Sequence, residues 1–264
     1  MLERVTFDNQ VVAYVSPLLR GAGVPHAFST RVGGISRGPF DSLNLGNPAG
    51  CEQQDAPDNI SANYARLHAA VGCAGRRRVF THQVHGACVV DADSATRTDV
   101  IYDGDEIGQA DAITSGDPTL LLSVRTADCV PVLLAGGGRV AAVHAGWRGV
   151  VAGVVTAALR GFDRPADVIA AIGPSIGPDA FEVGPDVAAE FRRVFGRLAP
   201  VRPAAGDKAL VDLKGAIELQ LRAAGVTRLD TTDCCTVTDE ATFFSHRRER
   251  GITGRMAAVI GAAS

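Results

Sequence analysis

One stretch constrains this chain more than any other. Residues 126–149 read Thr-Ala-Asp-Cys-Val-Pro-Val-Leu-Leu-Ala-Gly-Gly-Gly-Arg-Val-Ala-Ala-Val-His-Ala-Gly-Trp-Arg-Gly. Two apolar runs flank three glycines, a pattern that predicts a tight hairpin, because glycine tolerates the positive φ angles such a turn needs. With Gly136 and Gly137 as the central pair, Cys129 falls directly opposite His144. Directly opposed residues place their Cβ atoms about 4.5–5.5 Å apart. A thiol and an imidazole at that separation can share a metal ion or act as nucleophile and base. A loop of three or four residues would shift the register by about one place.

Composition bounds the rest. The chain has 264 residues, 46% of them hydrophobic and 21% charged, with a net charge of −3. It is long enough for a sizeable core. It carries no global basic field, so neither nucleic acid nor an anionic membrane is an expected partner. Arg76–Arg78 and Arg247–Arg248 read as solvated faces or local anion sites. The N-terminal Met-Leu-Glu-Arg lacks an apolar core of signal-peptide type. No apolar run approaches the ~18 residues of a membrane span, and a cytoplasmic location is expected. The six cysteines include no C-x-x-C pair, so a disulfide framework is not expected. Cys234 and Cys235 are adjacent, a poor spacing for two ligands of one ion, and read as buried or incidental.

Taken in order, the chain alternates strands and helices. Residues 2–16 hold a first strand. Residues 26–46 are rich in Gly, Ser and Asn and read as a loop; there Arg31, beside Gly33-Gly34, could bind an anion. Ile60, Tyr64, Leu67 and Val71 recur at helical spacing and predict a helix over 59–72. His68 reads as a boundary histidine. A strand at 78–80 leads into His82-Gln-Val-His85-Gly86, and Cys88 is expected to pack in the strand that follows. Residues 91–110 are acidic and read as an irregular surface excursion. Residues 118–124 form a continuous apolar run, hence a buried strand. Asp128 can serve as general base, as a partner to a ligand, or as a turn-former. Beyond the hairpin, 150–160 predicts a buried helix starting near His144, with Arg148 at its head. Further helices are expected from Pro185 and from an Asp212 cap, with a closing strand at 254–261. No repeat, low-complexity tract or linker interrupts the chain, so a single α/β domain is expected.

Cys129, His144 and His85 together offer three N/S ligands, the pattern of a catalytic zinc site with one position open. At these residues the chain resembles a known family. The matching segments are STRxGGxSxGxFxSLNLG within His26–Gly46, HQVHG at 82–86, TADCxPVLL at 126–134, AVHAGWRG at 142–149, IGPxIGPxxFEVG at 172–184, and FFSHRR…GRMAAVI within 243–260. The chain is similar over nearly its whole length to the laccase-domain family of YfiH-type and FAMIN-type purine nucleoside enzymes.

The resemblance implies a mixed-sheet sandwich with helices and a zinc-dependent enzyme of purine nucleoside metabolism. Its expected activities are phosphorolysis of adenosine, inosine, guanosine and S-methyl-5′-thioadenosine, and deamination of adenosine. It places the zinc ligands on His85, Cys129 and His144. For deamination, zinc lowers the pKa of bound water so that hydroxide can attack the purine, with Asp128 and His82 as the local bases. For phosphorolysis, Arg31, Arg148, Arg247 and Arg248 are the nearest motif-borne cations to hold phosphate, and Asn44 could hydrogen-bond the nucleoside. Many relatives carry cysteine where this chain has Ser175, so no chemistry is assigned there.

Two other readings use the same residues. In one, Cys129 is a thiolate nucleophile with His144 as base, as in the Cys–His toxin deamidases whose fold this family resembles. In the other, suggested by the family's older name, the protein is a copper-dependent phenol oxidase. One cysteine, few histidines and no His-x-His pair are a poor ligand supply for a multicopper centre.

Overall fold

In the computed structural model, which describes residues 1–263, the apolar runs pair into two mixed sheets stacked face to face. From edge to edge, the eight-stranded sheet holds Glu3–Thr6, Val12–Val15, His26–Ser29, Met256–Ile260, Leu120–Thr126, Arg77–His82, Gly104–Gln109 and Asp99–Ile101. The six-stranded sheet holds Arg228–Asp230, Ile169–Ile172, Val130–Gly136, Arg139–Ala145, Ala112–Ser115 and Val89–Asp91. A small third sheet joins Glu182–Val183, Ala209–Val211 and Val201–Pro203. The result is an α/β protein with helices on both outer faces.

The alternation of side chains along a strand distributes the apolar runs between layers. Leu134 points outward to Val154, Val155, Phe191 and Ile217 of the helical layer, whereas Leu133 points inward to Phe28, Leu122 and Ile260 of the facing sheet. Both leucines are fully buried, and burying each side chain contributes about 1.5–3 kcal/mol. On the far side of the eight-stranded sheet, Ile60, Tyr64 and Leu67 of the helix Pro57–Ala70 cover Ala13, Ala27, Leu121 and Val259.

The expected hairpin forms between Val130–Gly136 and Arg139–Ala145, but its register differs. Gly136 faces Arg139, so Gly137 and Gly138 are the turn residues, with φ of 57° and 78°. His144 consequently faces Pro131, and Val130 faces Ala145. Cys129 lies just before the strand, one step past the last pair, diagonal to His144 on the same face. The turn is displaced by one residue along the chain, which changes the pairing by two places and preserves which face each side chain takes.

Other departures have local causes. The expected helix over 150–160 is two short helices, Trp147–Ala152 and Val154–Leu159, separated by Gly153 in the left-handed region at φ 78°. The acidic stretch 91–110 is not wholly irregular, because Asp99–Ile101 and Gly104–Gln109 pair as an edge hairpin. Residues 2–16 supply two strands rather than one. Cys88 is exposed ahead of its strand, not packed within it. The helices Pro185–Phe195 and Leu213–Ala223 form as expected, the second capped by Asp212 accepting the Gly215 N–H at 2.9 Å. No helix among the described residues is long and apolar enough to cross a membrane.

Candidate active site

Arg77–His82 and Leu120–Thr126 run parallel, and their C-terminal ends open beside the end of Arg139–Ala145. His85 hangs on the short connection after the first of these strands, with its backbone in the left-handed region at φ 61°. Cys129 leads into the hairpin, and His144 closes it. Their ligand atoms all lie within 4.8 Å of one another, forming a group that can hold a metal ion. The His85 and His144 rings meet edge to face with centroids 4.8 Å apart.

A carboxylate that the sequence reading passed over builds this cluster. Asp111 has 0% exposure and accepts the backbone N–H groups of His85 at 2.9 Å, Gly86 at 2.6 Å and Val84 at 3.3 Å. It also accepts the Nδ1–H of His144 at 2.8 Å. Its own carbonyl accepts the His144 backbone N–H at 2.7 Å. One residue therefore sets the loop carrying His85 and the ring of His144. Burial raises the Asp111 pKa, but hydrogen bonds from His144, Gly86 and His85 outweigh it, and the carboxyl is held below its ordinary value. With Nδ1 committed, His144 presents Nε2 to the cluster.

Cys129 and His144 shift each other. Burial opposes the Cys129 thiolate, yet the charge and hydrogen bond of His144, with His85 behind them, bring its pKa down to about 6. Burial likewise opposes the His144 imidazolium, but the Cys129 charge and the Asp111 hydrogen bond raise its pKa to about 9. Without a metal the two thus form a thiolate–imidazolium pair, and a metal bound there would displace the His144 Nε2 proton and meet a thiolate and two imidazoles. Gly146 completes the donor set by omission: a Cβ there would sit 2.8 Å from His85 Cδ2 and 3.2 Å from Cys129 Sγ. Only glycine lets the chain pass this close behind two ligands.

The cluster lies in the wall of a cavity of about 490 Å³, a size suited to a small organic ligand. His82, Arg125, Asp128, Phe181, Arg247 and Arg255 also line it. Asp128 is tied into the wall: its carboxylate accepts the Thr236 hydroxyl at 2.6 Å and the Arg247 backbone N–H at 2.7 Å. His82 is exposed at the mouth. The Arg247 side chain lies 5.4 Å over the Phe181 ring and reaches the Glu182 carbonyl at 3.2 Å.

Four residues named from the sequence stand outside this lining. Arg31 donates to the Asp41 carbonyl at 2.7 Å and packs 4.5 Å over Phe244. Asn44 is fully buried, giving its amide to Asp55 at 3.0 Å and accepting the Arg255 backbone N–H at 2.9 Å. Arg148 is exposed and lies 4.4 Å over the Trp147 ring. Arg248 crosslinks the carbonyls of Thr236, Val237 and Phe243 and pairs with Glu249. Arg125 and Arg255, which do line the cavity, had no distinguishing signal in the sequence beyond their places, Arg125 just before the TADC motif and Arg255 within GRMAAVI. Asp111 had one, an acidic residue at the head of the buried strand Ala112–Ser115.

The chain is similar to known proteins over nearly its whole length. A family model described as multi-copper polyphenol oxidoreductase laccase matches residues 25–263. The chain is 41% identical over 241 residues to an Escherichia coli (strain K12) protein named purine nucleoside phosphorylase YfiH, covering 90% of this chain and 93% of that one. It is 40% identical over 254 residues to a Deinococcus radiodurans protein named purine nucleoside phosphorylase, covering 93% and 92%. Its fold matches the crystal structure of YlmD from Geobacillus stearothermophilus with a TM-score of 0.83 at 33% identity, over 96% of each chain. By the extent of the family match and by these relatives, the chain belongs to the multi-copper polyphenol oxidoreductase laccase family, among bacterial members named for purine nucleoside phosphorolysis.

Proposed function

We propose that this protein is a zinc-dependent purine nucleoside phosphorylase that also deaminates adenosine. The observation that carries the proposal is the His85–Cys129–His144 group, braced by Asp111, opening onto a cavity lined with arginine. Two imidazoles and a thiolate are a donor set suited to zinc, and three protein ligands leave a position for water or substrate. A single cysteine and two histidines are a poor set for a multicopper centre, so the activity suggested by the names of the nucleoside-acting relatives is preferred over phenol oxidation.

Zinc, when bound, would supply a Lewis acid and lower the pKa of a water molecule. The chain's own residues do the rest. Asp111 fixes the ligand rings, and Asp128 holds the wall formed by Thr236 and Arg247. In phosphorolysis, an oxygen of phosphate bonds to C1′ of the ribose as the C1′–N9 bond breaks. The base leaves with the electron pair and takes up a proton, giving base and ribose-1-phosphate. In deamination, a water oxygen bonds to C6 and ammonia departs. His82, at the mouth, is the side chain assigned to moving these protons, since both Asp128 oxygens already accept hydrogen bonds. Adenosine, inosine, guanosine and S-methyl-5′-thioadenosine are the substrates to test.

The test is incubation of the purified protein with adenosine, phosphate and zinc, reading adenine, inosine and hypoxanthine separately. Cys129→Ala and His144→Ala should each lose metal and nucleoside turnover together. Full phosphorolysis by either variant, at wild-type rate and without metal, would falsify the zinc reading. One observation favours a second reading. Cys129, His144 and Asp111 also form a nucleophile–base–carboxylate line with a thiol pKa near 6. Metal-free protein whose hydrolytic activity is blocked by a thiol-selective alkylator would point there instead.

A further inference from the structure

Two guanidinium groups face the same cavity as the metal-ligating cluster, and no carboxylate among the described residues forms an ion pair with either. Arg255 is anchored at one nitrogen only, its Nη1 donating to the carbonyls of Thr253 at 2.9 Å and Gly254 at 3.0 Å. A guanidinium has five N–H donors, so those on Nε and Nη2 remain for something else. Arg125 is held by its apolar parts. Its Cζ lies 5.4 Å over the Phe80 ring, and its stem runs where a Cβ on Gly46 would come within 2.9 Å. Among the described residues, its guanidinium donates to no protein acceptor. Gln83 grips only its backbone, through the Arg125 carbonyl and N–H at 2.8 Å each.

The two charges act on each other. Burial lowers the Arg255 pKa, and Arg125 lowers it further, while Asp128, Cys129 and Cys51 oppose this from a distance. Like charges side by side in a partly buried wall are unfavourable unless an anion lies between them. Asp128 does not fill that role by contact, because its oxygens accept from Thr236 and Arg247.

We propose that Arg125 and Arg255 form the seat for a tetrahedral oxyanion, inorganic phosphate, within the cavity that also holds the cluster of His85, Cys129 and His144. This rests on the phosphorolysis reading above and gives it a location. Planar forks from two directions suit the several acceptor oxygens of phosphate, and two cations match a dianion. The arginines the sequence motifs suggested for phosphate are engaged elsewhere, apart from Arg247 at the rim.

The experiment titrates inorganic phosphate into the full-length, zinc-loaded protein by calorimetry and separately measures the KM for phosphate and for nucleoside. Arg125→Met and Arg255→Met should each weaken phosphate binding about 10–100-fold, the loss expected for a charged hydrogen-bonding partner. Nucleoside KM and zinc content should change by no more than about threefold. Where a methionine variant fails to fold, Arg125→Lys and Arg255→Lys keep charge and bulk and should still raise the phosphate KM severalfold, because lysine lacks the planar fork. Unchanged phosphate affinity in folded variants, equal loss of phosphate and nucleoside affinity, or a preference for acetate over phosphate would each overturn the seat. If phosphate binds and the variants lose it, but no nucleoside is cleaved, the seat stands and the phosphorolysis reading falls.

Discussion

At the scale of single residues, the site depends on what surrounds its ligands as much as on the ligands. Asp111 reaches three backbone N–H groups and one imidazole, so it orders a loop and a strand end at once. Gly146 acts by lacking a side chain. Gly146→Ala would push a methyl group to 2.8 Å from the His85 ring and 3.2 Å from the Cys129 sulfur. Neither neighbour can withdraw without leaving the cluster. The expected outcome is a folded protein whose zinc affinity falls about 10–100-fold, the loss typical when the surroundings of a metal ligand are disturbed. Zinc content after dialysis against a competing chelator would measure it; wild-type retention would contradict the crowding argument.

At the scale of elements, the chain fastens its N-terminus to the far edge of the six-stranded sheet through one carboxylate. Asp230, with 5% exposure, accepts the Ser16 hydroxyl at 2.7 Å, the Leu18 N–H at 3.1 Å and the terminal ammonium at 2.9 Å. Burial raises its pKa, but the Ser16 and N-terminal bonds prevail and hold the carboxyl below its ordinary value. A folded-state pKa below the unfolded one stabilises the protein above that unfolded value, and the contribution is lost as pH falls through the folded value. Asp230→Asn should therefore lower stability by about 1.5–3 kcal/mol at pH 7, the range for hydrogen bonds to a charged group. In urea unfolding, that gap should close as the pH drops below about 4. A gap of the same size at pH 3 would assign the effect to packing.

Elements also show why part of the molecule was legible and part was not. Local rules carried the helices headed by Pro185 and Asp212, because a cap or a first-turn proline acts within a few residues. The hairpin was legible as a pair of strands, and its parity brought Cys129 and His144 to one face. Which two of three consecutive glycines make the turn is written neither in the glycines nor in the strand parity, because both registers give every side chain the same face. The break at Gly153 was hidden for a similar reason: glycine inside an apolar run costs only about 1 kcal/mol in a helix, so its left-handed turn is chosen by tertiary context. Asp111 and the Arg125–Arg255 pair escaped notice because their partners lie far away in sequence. A carboxylate's burial and an arginine's lack of a counterion are properties of the folded chain.

At the scale of the whole molecule, the layers are held together by apolar packing. The two sheets and their helices are packed by the buried sets around Leu133 and Leu134 and around Ile60 and Tyr64, apolar side chains whose burial needs no metal. Zinc should accordingly tune stability without being required for folding, unlike a small zinc domain that unfolds when stripped. Binding to the folded state alone stabilises it by about 2.7 kcal/mol when free ligand stands at 100 times its Kd. For a chain of this size, that corresponds to a rise in melting temperature of about 5–10 °C. The expected result of stripping with a strong chelator is a protein with unchanged secondary structure, a melting temperature lower by about that amount, and no nucleoside turnover. Stoichiometric zinc should restore both. Collapse of the circular dichroism signal on stripping would mean that the cluster holds the two sheets together, and would move zinc from the chemistry to the architecture.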